Sequence, residues 1–230
     1  ICLTSILAKS LEHILCSHMW QHINDYEIIK NNQHGFRKNL NTTTQLLHVI
    51  HKTAEAYDRH SNYHLISFDF SKAFDRVPHN LLLHKLRNYN FDVNCVSWIE
   101  DWLMDRTSVV SVNGEHSKEF SVRSGVPQGS VLGPLLFLLY VNDMSDEIKN
   151  SECRLYADDT VLCSSVTDLS LLQHDVNCLF DWAKTWGMTF NFCCHVQVGT
   201  DNPTTRFMLG TEFIPVTNSV KYLGVHIDSN

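Results

Sequence analysis

Apolar positions follow a helical period in some stretches of this chain and alternate in others. Near the start, Ile6, Leu7, Leu11, Ile14 and Leu15 keep a helical spacing, with Lys9 and Glu12 between them read as a solvated face. Gln33 to Lys38 reads as a loop. Asn41 and the three threonines after it offer an N-cap to a helix whose stripe is Leu46, Ile50, Ala54 and Tyr57. Leu65, Ile66 and Phe68 form a strand pattern that ends at Asp69, Pro78 suits a helix start, and Leu81 to Leu86 continues that helix. Val96 to Met104, with Trp98, Ile99, Trp102 and Leu103, predicts another amphipathic helix. Two alternating runs in SVVSVNGEHSKEFSV meet at Asn113-Gly114, a strong hairpin signal. Val131 to Val141, interrupted by Gly133-Pro134, reads as a buried helix. In LYADDTVL, residues 155–162, two adjacent acids lie between apolar runs, which predicts a buried hairpin with the acids at its turn. Leu172, Val176, Leu179, Phe180 and Ala183 mark a helix ending near Trp186-Gly187. Met188 to Val198 alternates loosely as a strand pair, and Val220 to Ile227 closes the pattern as a hairpin.

With 230 residues and 43% hydrophobic content, the chain can bury the core of one large or two small subdomains. Its net charge of −7 is the wrong sign for a surface that holds a polyanion, although Arg37-Lys38 and Lys85 to Arg87 make local basic clusters. Eight cysteines are scattered without a C-x-x-C pair and read as reduced, mostly buried thiols. The 14 histidines show no H-E-x-x-H pattern. The opening residues carry no secretory signature, and the longest apolar run, 11 residues, is far short of the ~20 that span a bilayer. The expectation is an intracellular protein, not secreted and not in a membrane.

Asp158 and Asp159 change this picture. Burying unpaired carboxylates costs several kcal/mol, so such a pair is usually neutralised by a cation. Carboxylates holding two divalent ions are common machinery for phosphoryl and nucleotidyl transfer. Asp69, at its own strand end, is the candidate third acid. Against this stands the ordinary reading of Asp-Asp as a solvated turn. Glycines at 125, 129 and 133 allow a close backbone approach to a substrate, or simply mark a turn before a buried helix. Arg37 projects from a loop anchored at one end by a helix and, on its own, reads as a surface ion pair.

FDFSKAFD, SGVPQGSVLGPLLFLLYVND, LYADD and YLGVHID, preceded by QHGFRKNLNTTTQLL, resemble in order and spacing the successive motifs of reverse transcriptases, in particular those of non-LTR (LINE-type) retrotransposons. The resemblance implies an α+β right-hand polymerase core: an antiparallel palm sheet of the split βαβ kind backed by helices, with partial helical fingers. It divides the chain into partial fingers (1–60), a first catalytic strand and helix (61–84), a fingers/palm connection with a β-hairpin (85–124), and a palm with the YADD hairpin and a primer-grip-like hairpin (125–230). It implies a fragment without thumb, nuclease or zinc knuckle.

The implied activity is RNA-directed DNA synthesis with two Mg2+ ions, Mn2+ being an alternative, on an RNA template, a DNA primer and dNTPs, in the nucleus. Asp69 and Asp158 would bridge the ions, helped by Asp159 and the Phe70 carbonyl. Arg37, Phe70, Phe74 and Gln128 would meet the nucleotide, with Phe74 as steric gate; read without the resemblance, Phe74 is core. Gly125, Pro127, Gly129, Tyr222, Leu223 and Gly224 would meet template or primer. Asp75 would brace a turn rather than bind metal. One departure stands out: the family usually places a Lys after the Asn-containing strand, where this chain has Phe192-Cys193-Cys194-His195 after Asn191. Two other readings stay open. One is a decayed or domesticated remnant that binds nucleic acid without polymerising, the other a group II intron maturase core.

Overall fold

The computed structural model describes residues 5–165, 167–199 and 206–229, so Cys2 lies outside the described residues. In chain order the elements are α1 (Ile6–Asp25), α2 (Thr42–Asp58), β1 (Tyr63–Phe70), α3 (Ala73–Arg76), α4 (His79–Asn88), α5 (Val93–Leu103), β2 (Thr107–Ser108), β3 (Ser111–Val112), β4 (Glu115–His116), β5 (Phe120–Ser121), α6 (Leu132–Val141), β6 (Glu152–Tyr156), β7 (Asp159–Ser164), α7 (Leu169–Thr185), β8 (Phe190–Val198), β9 (Met208–Leu209), β10 (Glu212–Phe213), β11 (Ser219–Tyr222) and β12 (Val225–Asp228). They group into two compact units. Ile1–Ile29 and Lys72–Tyr140 form the first; Lys30–Ser71 and Val141–Asn230 form the second.

The second unit is built on a four-stranded antiparallel sheet in the order β6-β7-β1-β8. β1 is central and buried almost throughout, as its run of apolar residues requires. One sheet face, with Leu65, Val161, Cys163, Cys194 and Val196, packs against Val49 and Ala56 of α2 and against Val220, Tyr222 and Ile227 of the last hairpin. The buried residues of α7 include Leu172, Val176, Leu179 and Ala183, the predicted stripe without Phe180. Met188 to Val198 contains one nine-residue strand, β8, rather than a strand pair: both its edges have work to do, pairing with β1 and bridging to Val216.

The first unit carries α1, α3 to α6 and the predicted ribbon, whose Asn113 and Gly114 take φ of 52° and 87° as a tight two-residue turn requires. α6 is buried on nearly every side, matching an apolar sequence that only Gly133-Pro134 interrupts. Two expected faces are corrected. In α1 the buried residues are Glu12, Met19 and Ile23, while Ile6, Leu7, Leu11 and Ile14 are exposed. Glu12 is completely buried because one carboxylate oxygen caps α6, accepting the Val131 (2.7 Å) and Leu132 (3.3 Å) amides. In α2 the buried face runs through Gln45, Val49 and Ala56, leaving Ile50, Ala54 and Tyr57 exposed. The basic cluster at 85–87 is also not a free surface: Lys85 is buried and donates to the Tyr140 carbonyl, and Arg87 pairs with Glu100.

Candidate active site

The acids are placed by strand register. Phe68 pairs with Thr160, so the next residue of β1, Asp69, and the first of β7, Asp159, emerge at the same end of adjacent antiparallel strands. Tyr156 pairs with Asp159, which leaves Ala157-Asp158 as the two-residue turn of the β6–β7 hairpin. A register shift in the β1–β8 pairing falls between Asp69 and Phe70, the local irregularity that re-aims a strand end. Three carboxylates therefore share one sheet end. Burial pushes the Asp158 carboxyl above its usual range, and Asp69 adds to this. Asp159 is pushed up to about 6 by desolvation first, then by Asp158 and Asp69. That is the behaviour of a site short of positive charge.

Among the described residues, no three His, Cys, Asp or Glu side chains close into a preformed metal cage. A Mg2+ site does not require one, because that ion is commonly held by one or two carboxylates with water and substrate phosphates completing its shell. The donor chemistry fits: hard oxygens, mutually repelling, at an edge reachable from solvent, with Asp69 and Asp159 exposed and Asp158 half-buried. The Phe70 ring is locked against Phe190, with ring centres 4.5 Å apart, and edge-on to Trp182, whose indole N–H donates to Asp143. This anchors the backbone just after Asp69. A cleft of about 530 Å3 between α7 and the strands that follow it contains none of the three acids.

The most densely wired part of the site was not expected from the sequence. Residues 32–34 run along β6, with backbone hydrogen bonds from His34 N–H to the Leu155 carbonyl and from Leu155 N–H to the Asn32 carbonyl, both 2.9 Å. Arg154 is buried and donates to His34 and Gln45, and Gln45 donates to the Tyr222 hydroxyl at 3.0 Å. Because Arg154 can only donate, the His34 Nε2 accepts, and its Nδ1–H faces the Thr44 hydroxyl. Tyr222 is thus a buried anchor of the last hairpin. Leu223 and Gly224, with φ of 47° and 86°, form that hairpin's turn. Arg37 folds back onto its own loop, donating to the Lys30 (2.8 Å) and Gln33 (3.1 Å) carbonyls.

In the first unit, Phe74 is half-buried and stacks on Phe137, with centroids 4.4 Å apart. Gln128 is exposed, and its amide N–H donates to the Asp75 carboxylate at 2.9 Å. Asp75 braces the loop in this way, and its carbonyl also accepts from Ser124. Gly125, at φ 92°, is a glycine for a reason internal to the chain: a Cβ there would lie 2.7 Å from the Asp75 carbonyl oxygen. At Gly133 likewise, a Cβ would meet the Pro127 carbonyl at 2.7 Å. Pro127 is buried and Gly129 takes φ 93°. Asp75, Arg106, Ser124, Gly125, Pro127 and Gln128 are among the residues lining a cleft of about 330 Å3. Where the resemblance expects a Lys, Phe192 is exposed and paired with Asp69, while Cys193, Cys194 and His195 are buried.

Acids at the ends of adjacent strands lie beside a buttressed hairpin, and comparison with known proteins gives the family. The family model described as "Reverse transcriptase (RNA-dependent DNA polymerase)" matches residues 1–227. The chain belongs to the reverse transcriptase family. It is 31% identical over 237 residues to the RNA-directed DNA polymerase from mobile element jockey of Drosophila melanogaster, covering 96% of this chain and 26% of that protein. It is 29% identical to the probable RNA-directed DNA polymerase from transposon BS of the same organism, over 99% of this chain and 27% of that one. The chain spans about a quarter of the length of these relatives. The fold resembles telomerase from Candida tropicalis solved with a fragment of telomeric RNA: TM-score 0.66, 13% identity, 94% of this chain and 36% of that one. The four-stranded antiparallel sheet is the palm of a right-hand polymerase, and divalent-metal dependence goes with the family. Among the described residues no helix is long and apolar enough to cross a membrane.

Proposed function

We propose that the chain is the catalytic core of an RNA-directed DNA polymerase of a non-LTR retrotransposon, extending a DNA primer with dNTPs on an RNA template by two-ion nucleotidyl transfer. The observation that carries this reading is the convergence of Asp69, Asp158 and Asp159 at one end of the palm sheet, with the proton affinities of Asp158 and Asp159 raised by desolvation and mutual repulsion. Asp69 and Asp158 would hold two Mg2+ ions, or Mn2+, with Asp159 and the Phe70 carbonyl assisting. Bound ions supply charge neutralisation for the transferring phosphoryl group and a lowered proton affinity for the attacking hydroxyl.

The residues contribute placement. Phe74, backed by Phe137, would act as steric gate for the sugar, and Gln128, oriented by Asp75, would meet the nucleotide. Arg37 would exchange its carbonyl partners for phosphate oxygens. Gly125, Pro127 and Gly129 form the template-side loop, and Tyr222, Leu223 and Gly224 the primer grip. Residues 1–60 and 85–124 serve as fingers and connection, and 61–84 with 125–230 as palm. The setting would be nuclear.

The absence of a cation among Phe192, Cys193 and Cys194 favours one rival, a remnant that binds without polymerising. Single-nucleotide primer extension separates the two, in a protein carrying the neighbouring regions. Wild type should incorporate in Mg2+ or Mn2+, and Asp69→Asn and Asp158→Asn should each abolish incorporation at unchanged side-chain volume. Incorporation by Asp158→Asn at the wild-type rate would remove the metal assignment, and a wild type that binds template and primer yet never incorporates would favour the remnant.

A further inference from the structure

We propose that Gln33 is a positioning residue for the catalytic hairpin, its single carboxamide fixing the peptide groups of Ala157 and through them the carboxylates of Asp158 and Asp159. The inference rests on the reading of those acids as metal-binding.

Gln33 is 1% exposed, and its amide is used at both ends. Oε1 accepts the Ala157 N–H at 2.9 Å and the Gly35 N–H at 2.7 Å, while Nε2 donates to the Ala157 carbonyl at 3.3 Å. Both backbone groups of the one residue preceding Asp158 are therefore held by one side chain 124 positions away in sequence. A two-residue hairpin turn ordinarily leaves its peptide groups to water, and it prefers Gly or Asn where φ is positive. Here Ala157 is buried and held at φ 56°, a conformation unfavourable for a residue with a Cβ. Such strain persists where the surroundings over-determine it, which is characteristic of functional sites. Gly35 closes the clamp from the other side: a Cβ there would lie 2.3 Å from the Ala157 nitrogen, so only glycine lets the 33–35 segment seat against the turn.

A Gln buried merely to satisfy a core would find partners wherever they occurred. Apart from the Gly35 N–H, which tightens its own loop, all of Gln33's side-chain bonds converge on Ala157. Because the Ala157 carbonyl belongs to the peptide that carries the Asp158 nitrogen, holding it sets the direction in which the acidic pair leaves the turn. Partners of this kind around metal ligands typically carry about 10–100-fold in metal affinity or activity.

The test is Mn2+ binding to the full chain, measured by calorimetry and electron paramagnetic resonance, together with residue-resolved amide exchange. In wild type the Ala157 amide should exchange slowly, unlike a solvated turn. Gln33→Ala and Gly35→Ala should each weaken Mn2+ binding about 10-fold or more and free the Ala157 amide, while Val161 and Leu162 stay protected. If Gln33→Ala fails to fold, Gln33→Glu keeps the shape and the acceptor oxygen but loses the Nε2 donor, and it should still weaken Mn2+ binding. Wild-type Mn2+ affinity in folded Gln33→Ala or Gln33→Glu, or a loss of protection spread evenly through the hairpin, overturns the proposal. Asp158→Asn separates the two claims. If it binds Mn2+ as wild type does, the metal reading fails and the positioning role falls with it; if it loses Mn2+ while the Gln33 variants do not, only the positioning role fails.

Discussion

At Asp159 the proposed metal role is set against stability. Its carboxyl is pushed up to about 6, because desolvation, Asp158 and Asp69 all oppose the charge. The folded protein therefore loses stability as pH rises from about 4 through 6, where the group ionises against its neighbours. Since Asp159 is exposed, solvent screening keeps this term small. Phe74 shows a milder version of the same conflict. Stacked on Phe137 but only half-buried, it should tolerate truncation: Phe74→Ala should cost about 2 kcal/mol, below the range for a fully buried Phe. If it is the gate, the same substitution should raise the use of rNTPs relative to dNTPs in primer extension. An unchanged ratio would leave Phe74 as core alone.

Among the elements, α6 depends most on a single distant group. Its local cap is partial: the Ser130 hydroxyl accepts the Gly133 amide at 2.9 Å, and Glu12 of α1 supplies the acceptor for the Val131 and Leu132 amides. Glu12→Ala would leave buried donors unpaired. Hydrogen bonds to charged groups are worth about 1.5–3 kcal/mol each, so the midpoint in urea should fall by an amount equivalent to about 2 kcal/mol or more. A shift under about 0.5 kcal/mol, the range of ordinary surface changes, would mean that the cap is dispensable. α2 behaves differently, because its cap is local: Asn41 accepts the Thr44 amide, and the Thr44 hydroxyl accepts the Asn41 amide.

For the whole molecule, the pH dependence of folding follows from weighing Asp159 against a histidine pair. His64 and His195 are buried on adjacent strands, with Nδ1 of the first 3.0 Å from Nε2 of the second. Burial pushes both down, His195 to about 4 with His64 adding to the effect. Both are neutral in the folded state and protonate readily once unfolded, so stability is lost as pH falls from about 6.5 toward 4. The Asp159 effect has the opposite sign over an overlapping window. The histidines are fully enclosed and Asp159 is not, so the histidines should win. The melting temperature should fall on acidification from pH 7.5 to 5, and Asp159→Asn should steepen the fall while raising stability at pH 7.5. A melting temperature that rises toward pH 5 would refute this weighing.

What could be read in the chain and what could not divide by range. Helix caps, the Asn113-Gly114 turn, the Pro78 start, the β1 run and the acids flanked by apolar residues were legible because each depends on neighbours within a few positions, where period and backbone preference act. The family was legible for the same reason, since its motifs are short words in a fixed order. The faces of α1 and α2 were not, because burial is decided by what packs on a helix, and a carboxylate such as Glu12 goes inside when a distant helix end needs it. Nor was the role of Gln33 and Gly35. QHGFR reads as a polar loop, and nothing local says that its amide meets Ala157 or that a Cβ at 35 would strike that turn. The same holds for Lys85, charged in sequence and buried in structure. Sequence determined the elements and the acids. Only the tertiary structure decided which buried polar groups hold those acids in place, because a desolvated donor or acceptor must be satisfied by whatever the fold brings within about 3 Å.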